Sequence, residues 1–302
     1  MDIIGKKKIY FALSLLVIIP GIVAMFVFGL NLSIDFTGGS RLTILFEKEI
    51  DEQRKSFVKE TLESQDIRVI SQEPSGNLLI VRTSTIDEKK NTEFTEKLSS
   101  KFENATVEEF STIGPTIGRE TTINAIKAVL VAVLLVVIYI SYVFRSVPKP
   151  ASSIRFGVST IIALVHDVLI TVGVFAFLGY LFSVEIDALF ITALLTIIGF
   201  SVHDTIVVFD RIRENLGKQS SENFASVVND SILQTIGRSI NTSVTVLFVL
   251  FALLLFGGES IRWFVVALIV GIASGTYSSI FVASPVLVVW HNWSLKRSRN
   301  KK

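Results

Sequence analysis

Long apolar blocks alternate with polar segments along the chain, and the apolar blocks have the length of membrane-crossing helices. A helix needs about 20 mostly apolar residues to cross the hydrocarbon core of a bilayer. Five blocks are long enough and nearly free of charge: 9–30, 156–184, 188–209, 239–256 and 263–290. A sixth block, 128–144, is slightly short, but it extends to Asn124 if the charged end of Lys127 reaches the membrane surface. The pattern therefore predicts six membrane-spanning helices.

The polar segment between the first two helices, 31–120, has a regular pattern of its own. Four stretches are typical of strands: "SRLTILFE", "IRVISQE", "NLLIVRTST" and "ATVEEFSTI". Two stretches have helical periodicity: "DEQRKSFVKETLES" and "EKKNTEFTEKLSSKF". Their order, β-α-β-β-α-β, predicts a ferredoxin-like extracytosolic domain.

The remaining residues are expected to form a five-helix transmembrane block. The predicted organisation is a first helix with a cytosolic N-terminus (1–30), the ferredoxin-like domain (31–120), the helical block (121–293) and a basic cytosolic tail (294–302). Within the block, the range 223–236 is predicted to be an amphipathic helix along the inner membrane surface. Its apolar residues at helical spacing are Phe224, Val227, Val228, Ile232, Leu233 and Ile236.

The first apolar block follows the basic sequence "GKKK", which could begin a secretory signal peptide. The block runs for 22 residues (9–30), and the following "NLSIDFTGGS" has no convincing small-residue cleavage site. We therefore interpret the block as a retained membrane span.

Basic residues are distributed unequally between the two sides of the predicted membrane. Those on one side are Lys6–Lys8, Arg145, Lys149, Arg155, Arg211, Arg213, Lys218, Arg238, Lys296, Arg297, Arg299, Lys301 and Lys302. The short loops on the other side, "YLFSVEIDA" and "GGESIR", carry one basic residue, Arg262. Because basic loops stay on the inside, both termini are predicted to be cytosolic.

Composition agrees with a membrane protein and excludes some chemistry. Half of the 302 residues are hydrophobic, 23 are Phe, and the mean hydropathy is +0.59. Soluble domains are rarely so apolar. The chain has no cysteine, which excludes disulfides, thiolate metal sites and cysteine nucleophiles.

A carboxylate and a guanidinium are predicted to lie inside the membrane on consecutive helices. Asp204 follows Asp187, near the outer end of the fourth helix, by 17 residues, or about 25 Å of helix. Arg238 precedes Gly257, at the outer end of the fifth helix, by 19 residues, or about 28 Å. Since intramembrane charges usually pair with one another, we expect Asp204 and Arg238 to meet and to couple proton movement to a conformational change. A purely structural ion pair is the alternative, although such pairs seldom add net stability.

The fifth helix carries further polar residues next to Arg238. Asn241, Thr242 and Thr245, together with Gln234, form one polar stripe. A stripe of this kind faces protein or water rather than lipid. We interpret these residues as polar groups that surround and support the expected pair of Asp204 and Arg238. The simpler alternative is that they only form hydrogen bonds between helices.

The tripeptide Val-His-Asp occurs in both the third helix (165–167) and the fourth (202–204). Asp167 is predicted to lie near mid-membrane. His166 and His203 titrate near neutrality when unperturbed, which suits a proton relay. Neutral histidines that are hydrogen-bonded within the bundle are the alternative.

Two other kinds of site are disfavoured. An aspartyl protease dyad of Asp167 and Asp204 would share a proton, but neither residue has the sequence context Gly-x-Gly-Asp. A metal site that adds His166 and His203 is chemically reasonable. However, adjacent residues on a helix point in different directions, so no bound metal is expected.

Three motifs carry a specific family resemblance. "IDFTGGS", "VHDVLIT" and especially "GFSVHDTIVVFDRIREN" closely resemble the SecF branch of the SecD/SecF family. This family serves bacterial protein export and belongs with the resistance-nodulation-division transporters. The resemblance extends over essentially the whole chain. It implies that Asp204 and Arg238 are the proton-coupling residues and that a signature motif is formed by Asp35, Phe36, Thr37, Gly38 and Gly39.

The resemblance also implies a function and partners in the bacterial cytoplasmic membrane. The expected function is coupling of the proton gradient to protein export, without enzymatic activity and without a cofactor. The expected partners are SecD as a separate chain, the SecYEG channel, the exported polypeptide on the outer side and membrane lipids, with no nucleic acid. Na⁺ in place of H⁺ stays open, as do two other functions: a proton-driven exporter of lipids or small molecules, and a non-transporting scaffold.

Overall fold

The computed structural model describes residues 1–148, 152–218 and 223–299. Lys149, Lys301 and Lys302, which contributed to the predicted orientation, lie outside the described residues. The chain forms two compact units. The first, which we call the sheet domain, contains Asn31–Ile126 and Glu185–Ala188. The second, the helical unit, contains Met1–Leu30, Lys127–Val184 and the residues from Leu189 onward.

The elements follow one another in this order. Helix α1 (Lys7–Val27) precedes α2 (Ile34–Thr37), β1 (Gly39–Leu45), α3 (Glu52–Glu63), β2 (Val69–Ser75), β3 (Leu78–Thr83), α4 (Glu88–Lys101) and β4 (Thr106–Ile113). Then come α5 (Pro115–Val143), α6 (Ser153–Phe182), α7 (Ala188–Lys218), α8 (Phe224–Phe256), α9 (Glu259–Ser278), a π-helical turn (Ser279–Ala283) and α10 (Ser284–Arg299).

Six helices of the described chain are long and apolar enough to cross a membrane, as predicted. They are α1, α5, α6, α7, α8 and the combined run of α9, the π turn and α10. The chain is therefore a multi-pass membrane protein.

The sheet domain has the predicted ferredoxin-like topology. Its four strands are antiparallel in the order β2-β3-β1-β4. The core contains alternate residues of β1, such as Leu42 and Ile44, together with Val58 of α3 and Phe94 of α4. All four side chains are fully buried. Alternation along the strands and helical spacing along α3 and α4 therefore produce one apolar core, as the sequence pattern predicted.

Helices α3 and α4 of the sheet domain each begin at a capping aspartate. Asp51 accepts a hydrogen bond from the backbone N–H of Arg54 (2.8 Å), and Asp87 accepts one from Lys90 (2.8 Å). Each carboxylate thereby satisfies an N–H group that lacks a partner inside the helix.

The amphipathic helix predicted over 223–236 is not a separate element. The described residues from Phe224 form the first half of α8, which continues without interruption to Phe256. Gly237 lies between the two halves, and glycine costs a helix only about 1 kcal/mol. The apolar residues Val227, Val228 and Ile232 are fully buried in the core of the helical unit. Their packing explains the spacing that the sequence assigned to the membrane surface.

Small residues allow the helices to pack closely. A Cβ atom on Gly271 would lie 2.1 Å from the side chain of Ile197, and one on Gly275 would lie 3.1 Å from Cβ of Ser201. Gly271 and Gly275 therefore let α9 approach α7 closely. A second close approach joins Gly21 of α1 to α6.

Candidate functional site

Asp167 lies at the centre of a buried cluster of hydroxyl groups in the helical unit. Its side chain is 0% exposed. Oδ1 accepts a hydrogen bond from Ser274 (2.7 Å), and Oδ2 accepts hydrogen bonds from Ser201 (2.6 Å) and Ser278 (2.7 Å). Nδ1 of His166 lies 3.0 Å from Oδ1. One carboxylate thus joins α6, α7 and α9.

His166 extends this cluster towards α1. Its Nε2 atom lies 3.0 Å from Oγ of Ser14. If Nδ1 carries the proton and donates to Asp167, Nε2 accepts from Ser14, so both ring nitrogens are satisfied. The ring also stacks on Tyr277, whose hydroxyl donates to the carbonyl of Tyr10 (2.8 Å). The relay role assigned to His166 from the sequence stays a prediction.

Asp204 is also buried, but its contacts are longer. The residue is 1% exposed. Oδ2 accepts a hydrogen bond from Ser243 of α8 at 3.4 Å, and Oδ1 lies 3.6 Å from Nδ1 of His203. The His203 side chain is 60% exposed. Thr276 of α9 donates to Ser243 (2.6 Å), so three helices meet beside this carboxylate.

The expected contact between Asp204 and Arg238 is absent from the ion pairs of the described residues, and Arg238 is exposed. Two features of the helices explain this, and the first is the antiparallel register of α7 and α8. Arg211 contacts Gln234, and Asp204 contacts Ser243, so Arg238 is level with a residue about one turn beyond Asp204.

The second feature is rotational. Ser239 and Ser243 are four residues apart and both buried, so they mark the face of α8 that packs in the bundle. Arg238 precedes Ser239 and is turned away from that face by roughly 100°. The similar depth of Asp204 and Arg238 in the membrane predicted that they lie near each other. It could not predict the direction in which Arg238 points around the axis of α8. Its part in proton coupling stays a prediction.

The polar stripe beside Arg238 lies on the same exposed side of α8. Asn241 and Thr245 are exposed, and Thr242 is half-buried. Both threonine hydroxyls donate to carbonyls of their own helix. The expected support of Asp204 by these three residues is therefore not observed; Ser243 makes the contact instead.

The signature segment Asp35–Gly39 belongs to the sheet domain. Asp35 and Thr37 lie in the single turn of α2, which Ser33 caps through its hydroxyl. Phe36 is buried in the same turn. Oδ2 of Asp35 accepts a hydrogen bond from the backbone N–H of Ala188 (2.9 Å), the first residue of α7. Asp35 therefore acts as a cap for that helix, although it is distant in sequence.

The two glycines of the motif are required by the backbone. Gly38 and Gly39 have φ angles of +71° and +112°, a region that other residues rarely adopt. A Cβ atom on Gly38 would lie 2.8 Å from Cα of Pro115, and one on Gly39 would lie 2.5 Å from the carbonyl oxygen of Thr83. The motif therefore allows three segments of backbone to meet.

The disfavoured alternatives receive no support from this geometry. Asp167 and Asp204 have separate sets of hydrogen-bond partners, unlike a dyad that shares a proton. Among the described residues, no group of three or more His, Asp or Glu side chains is arranged to hold a metal ion.

Sequence reasoning missed the serines around Asp167. Ser274 and Ser278 are spaced i, i+4 on the sixth helix, which was a usable signal. The signal is weak, because Gly271 and Gly275 lie beside these serines and small residues at this spacing usually indicate helix packing alone. Ser14 and Ser201 gave no signal, because single serines are common in membrane helices and usually donate to their own backbone.

Two protein-family models match most of the chain. The family model described as "Protein export membrane protein SecD/SecF, C-terminal" matches residues 93–293, and the "SecD/SecF GG Motif" model matches residues 23–50. The first range contains Asp167, Asp204 and Arg238, and the second contains Asp35–Gly39.

Individual relatives are similar at full length. The protein translocase subunit SecF of Thermobaculum terrenum is 46% identical, with 97% of this chain and 94% of that one covered. The SecF of Anaerolinea thermophila is 44% identical, with the same coverage. A crystal structure of SecDF from Thermus, a translocon-associated membrane protein, matches this chain with a TM-score of 0.83 at 35% identity. That match covers 97% of this chain and 39% of the longer SecDF chain. The chain belongs to the SecD/SecF family of protein export membrane proteins.

Proposed function

We propose that the chain is the SecF-type subunit of a protein translocase in a bacterial cytoplasmic membrane, where protonation of Asp204 is coupled to protein export. The observation that carries this proposal is the setting of Asp204. It is a buried carboxylate in an apolar helix, and its contacts with Ser243 and His203 are long. An ionisable residue in such a position marks a functional site by default.

The long hydrogen bond between Asp204 and Ser243 suits a transport cycle in which Asp204 binds and releases a proton. Binding a proton neutralises Asp204 and removes little hydrogen bonding, so α8 can change its position against α7 at low cost. Each proton that crosses 100 mV delivers about 2.3 kcal/mol. That energy biases a two-state equilibrium roughly 50-fold. No cofactor is needed beyond the ion gradient, and no residue is assigned a catalytic role.

The exposed stripe of α8 supports a partner within the membrane. Arg238 and Asn241 are exposed on the chain's own surface. Because a charged side chain facing lipid is costly, we infer that SecD covers this stripe and that Arg238 acts across the contact. The solved SecDF relative is more than twice as long as this chain, which leaves room for such a second half.

The distribution of basic residues supports the proposed orientation. Both termini would lie in the cytosol, and the sheet domain would lie outside, where it could contact the exported polypeptide. The SecYEG channel would supply the route for that polypeptide, and lipids would surround the remaining helices.

Export of a secreted reporter into inverted membrane vesicles tests the proposal. The vesicles contain the complete translocase, and a pH gradient, acidic inside, is imposed without a Na⁺ gradient. We expect Asp204→Asn to lose the gradient-dependent part of export, because asparagine cannot carry the proton. The matched control is Asp210→Asn on the same helix, which removes an exposed carboxylate paired with Arg213 (2.6 Å) and should export normally. Normal export by an assembled Asp204→Asn complex would favour the scaffold function instead.

A further inference from the structure

An arginine is buried in the sheet domain against two segments that are distant in sequence. Arg82 of β3 is 8% exposed. It donates hydrogen bonds to Oδ1 of Asn31 (3.0 Å) and to the carbonyl of Leu32, in the segment after α1. Its Nε atom lies 3.3 Å from Oε1 of Glu185, in the segment before α7. We call Arg82, Asn31–Asp35 and Glu185–Ala188 the clamp.

The two segments of the clamp also pair through their backbones. Ile186 donates to the carbonyl of Asn31 (2.7 Å) and accepts from the N–H of Ser33 (2.9 Å), as in a short parallel ladder. The cap from Asp35 to the N–H of Ala188 follows directly. Every residue from 185 to 188 thus belongs to the sheet domain, and the last of them is the first residue of α7.

The ion pair of the clamp is not explained by stability alone. The side chains of Arg82 and Glu185 are 10% and 14% exposed, and Oε2 of Glu185 is buried without a hydrogen bond within the described chain. Burial raises the pKa of Glu185, and the charge of Arg82 opposes this shift. A second cation, Arg41, lies opposite Arg82 across β1 and β3. Buried pairs of this kind are seldom better than apolar replacements, and their best-attested use is to fix one arrangement among alternatives.

We propose that the clamp stays closed throughout the transport cycle and holds the start of α7 to the sheet domain, so that Arg82 and Glu185 are positioning residues for proton-driven export. Asp204 is 16 residues along the same helix from Ala188, about 24 Å at 1.5 Å per residue. A helix is stiff over this length, so a shift of α7 at Asp204 moves its first residue too. The proposal rests on the proposed function, because it concerns how proton binding reaches the sheet domain.

Substitution of the arginine is the first test, in the same vesicles. We expect Arg82→Gln to lose gradient-dependent export while export without a gradient and co-purification of the complex persist. Glu185 can take up a proton when its partner is removed, so this variant should fold. If it does not, Glu185→Gln removes the other charge. The matched control is Arg41→Gln, which removes a partly exposed arginine paired with exposed Glu109 and should keep gradient-dependent export.

A disulfide then separates positioning from mere stability. Leu32 and Ile186 are bridge partners in the clamp, and the chain has no native cysteine. Leu32→Cys combined with Ile186→Cys should close the clamp covalently under oxidation. We expect the oxidised pair to leave wild-type export intact and to restore gradient-dependent export to Arg82→Gln.

Two outcomes would overturn the proposal. One is undiminished gradient-dependent export by Arg82→Gln; the other is loss of export when the disulfide forms in the otherwise unchanged chain, since the clamp would then have to open. Measurement of Asp204→Asn in the same experiment distinguishes failure of the clamp proposal from failure of the proposed function. If Asp204→Asn loses gradient-dependent export and Arg82→Gln does not, the clamp proposal alone fails; if both keep it, the proposed function fails as well.

Discussion

The tripeptide Val-His-Asp occurs twice in this protein, and its two aspartates, Asp167 and Asp204, have different surroundings. Asp167 receives hydrogen bonds from three serines, and His166 lies within hydrogen-bonding distance. Asp204 receives one long hydrogen bond from Ser243. A carboxylate that joins three helices through short hydrogen bonds is suited to hold them together. A carboxylate with weak contacts can change its protonation state without dismantling the bundle.

Glycine at position 39 is a second residue whose identity has a physical reason. Gly39→Ala requires a left-handed backbone and places Cβ 2.5 Å from the carbonyl oxygen of Thr83. We expect the free energy of unfolding to fall by about 2–3 kcal/mol, near the upper end of the cost of backbone strain. Thermal unfolding of the purified full chain in detergent measures the change. Gly114→Ala is the control, because a Cβ atom added there would meet nothing within 4 Å and its φ is ordinary; equal melting temperatures for the two variants would contradict this explanation of the motif.

At the scale of elements, hydrophobic periodicity predicted most of the fold. The six spans and all six elements of the ferredoxin-like domain could be predicted because each has a clear period or length. The continuity of α8 could not, because the spacing of Val227, Val228 and Ile232 is the same for a helix on a membrane surface and for one packed in a bundle. The π turn at Ser279–Ala283 also gave no local signal. Such turns are frequent at functional sites, and this one directly follows Ser278, whose hydroxyl donates a hydrogen bond to Asp167.

Packing between α7 and α9 gives a prediction at this scale. Gly275→Ala would place Cβ 3.1 Å from Cβ of Ser201 and 3.6 Å from Oδ2 of Asp167, so it should push the helices apart at the buried carboxylate. We expect a loss of about 1–3 kcal/mol in the free energy of unfolding, as for other overpacked cores. Gly237→Ala in α8 meets no atom within 4 Å and should instead stabilise the chain by about 0.5–1 kcal/mol through helix propensity. Thermal unfolding of both variants provides the comparison, and a Gly275→Ala chain as stable as Gly237→Ala would argue against close contact at Ser201.

At the scale of the whole molecule, the site depends on how distant helices are rotated. The sequence predicted Asp204 as a functional residue because burial of a carboxylate in an apolar run is visible locally. The predicted contact between Asp204 and Arg238 was wrong, because the position of a residue along a helix does not give its direction around the helix axis. The serines at Asp167 were missed for the same reason, since Ser278 is 111 residues from Asp167 in the chain.

Helix α7 begins in one unit of the protein and continues into the other. The clamp includes the first residue of α7, and Asp204 lies further along that helix. In the proposed cycle, proton binding at Asp204 changes the contact between α7 and α8, and the clamp carries the resulting shift of α7 to the sheet domain.

Proton movement during export tests the central claim most directly. Proteoliposomes with the complete translocase and a trapped pH-sensitive dye are given an exported polypeptide under an imposed pH gradient. We predict that proton release from the lumen accompanies export in the wild type and in Asp210→Asn, and is abolished in Asp204→Asn. Equal proton release by the Asp204→Asn complex would contradict the assignment of Asp204 as the residue that carries the proton.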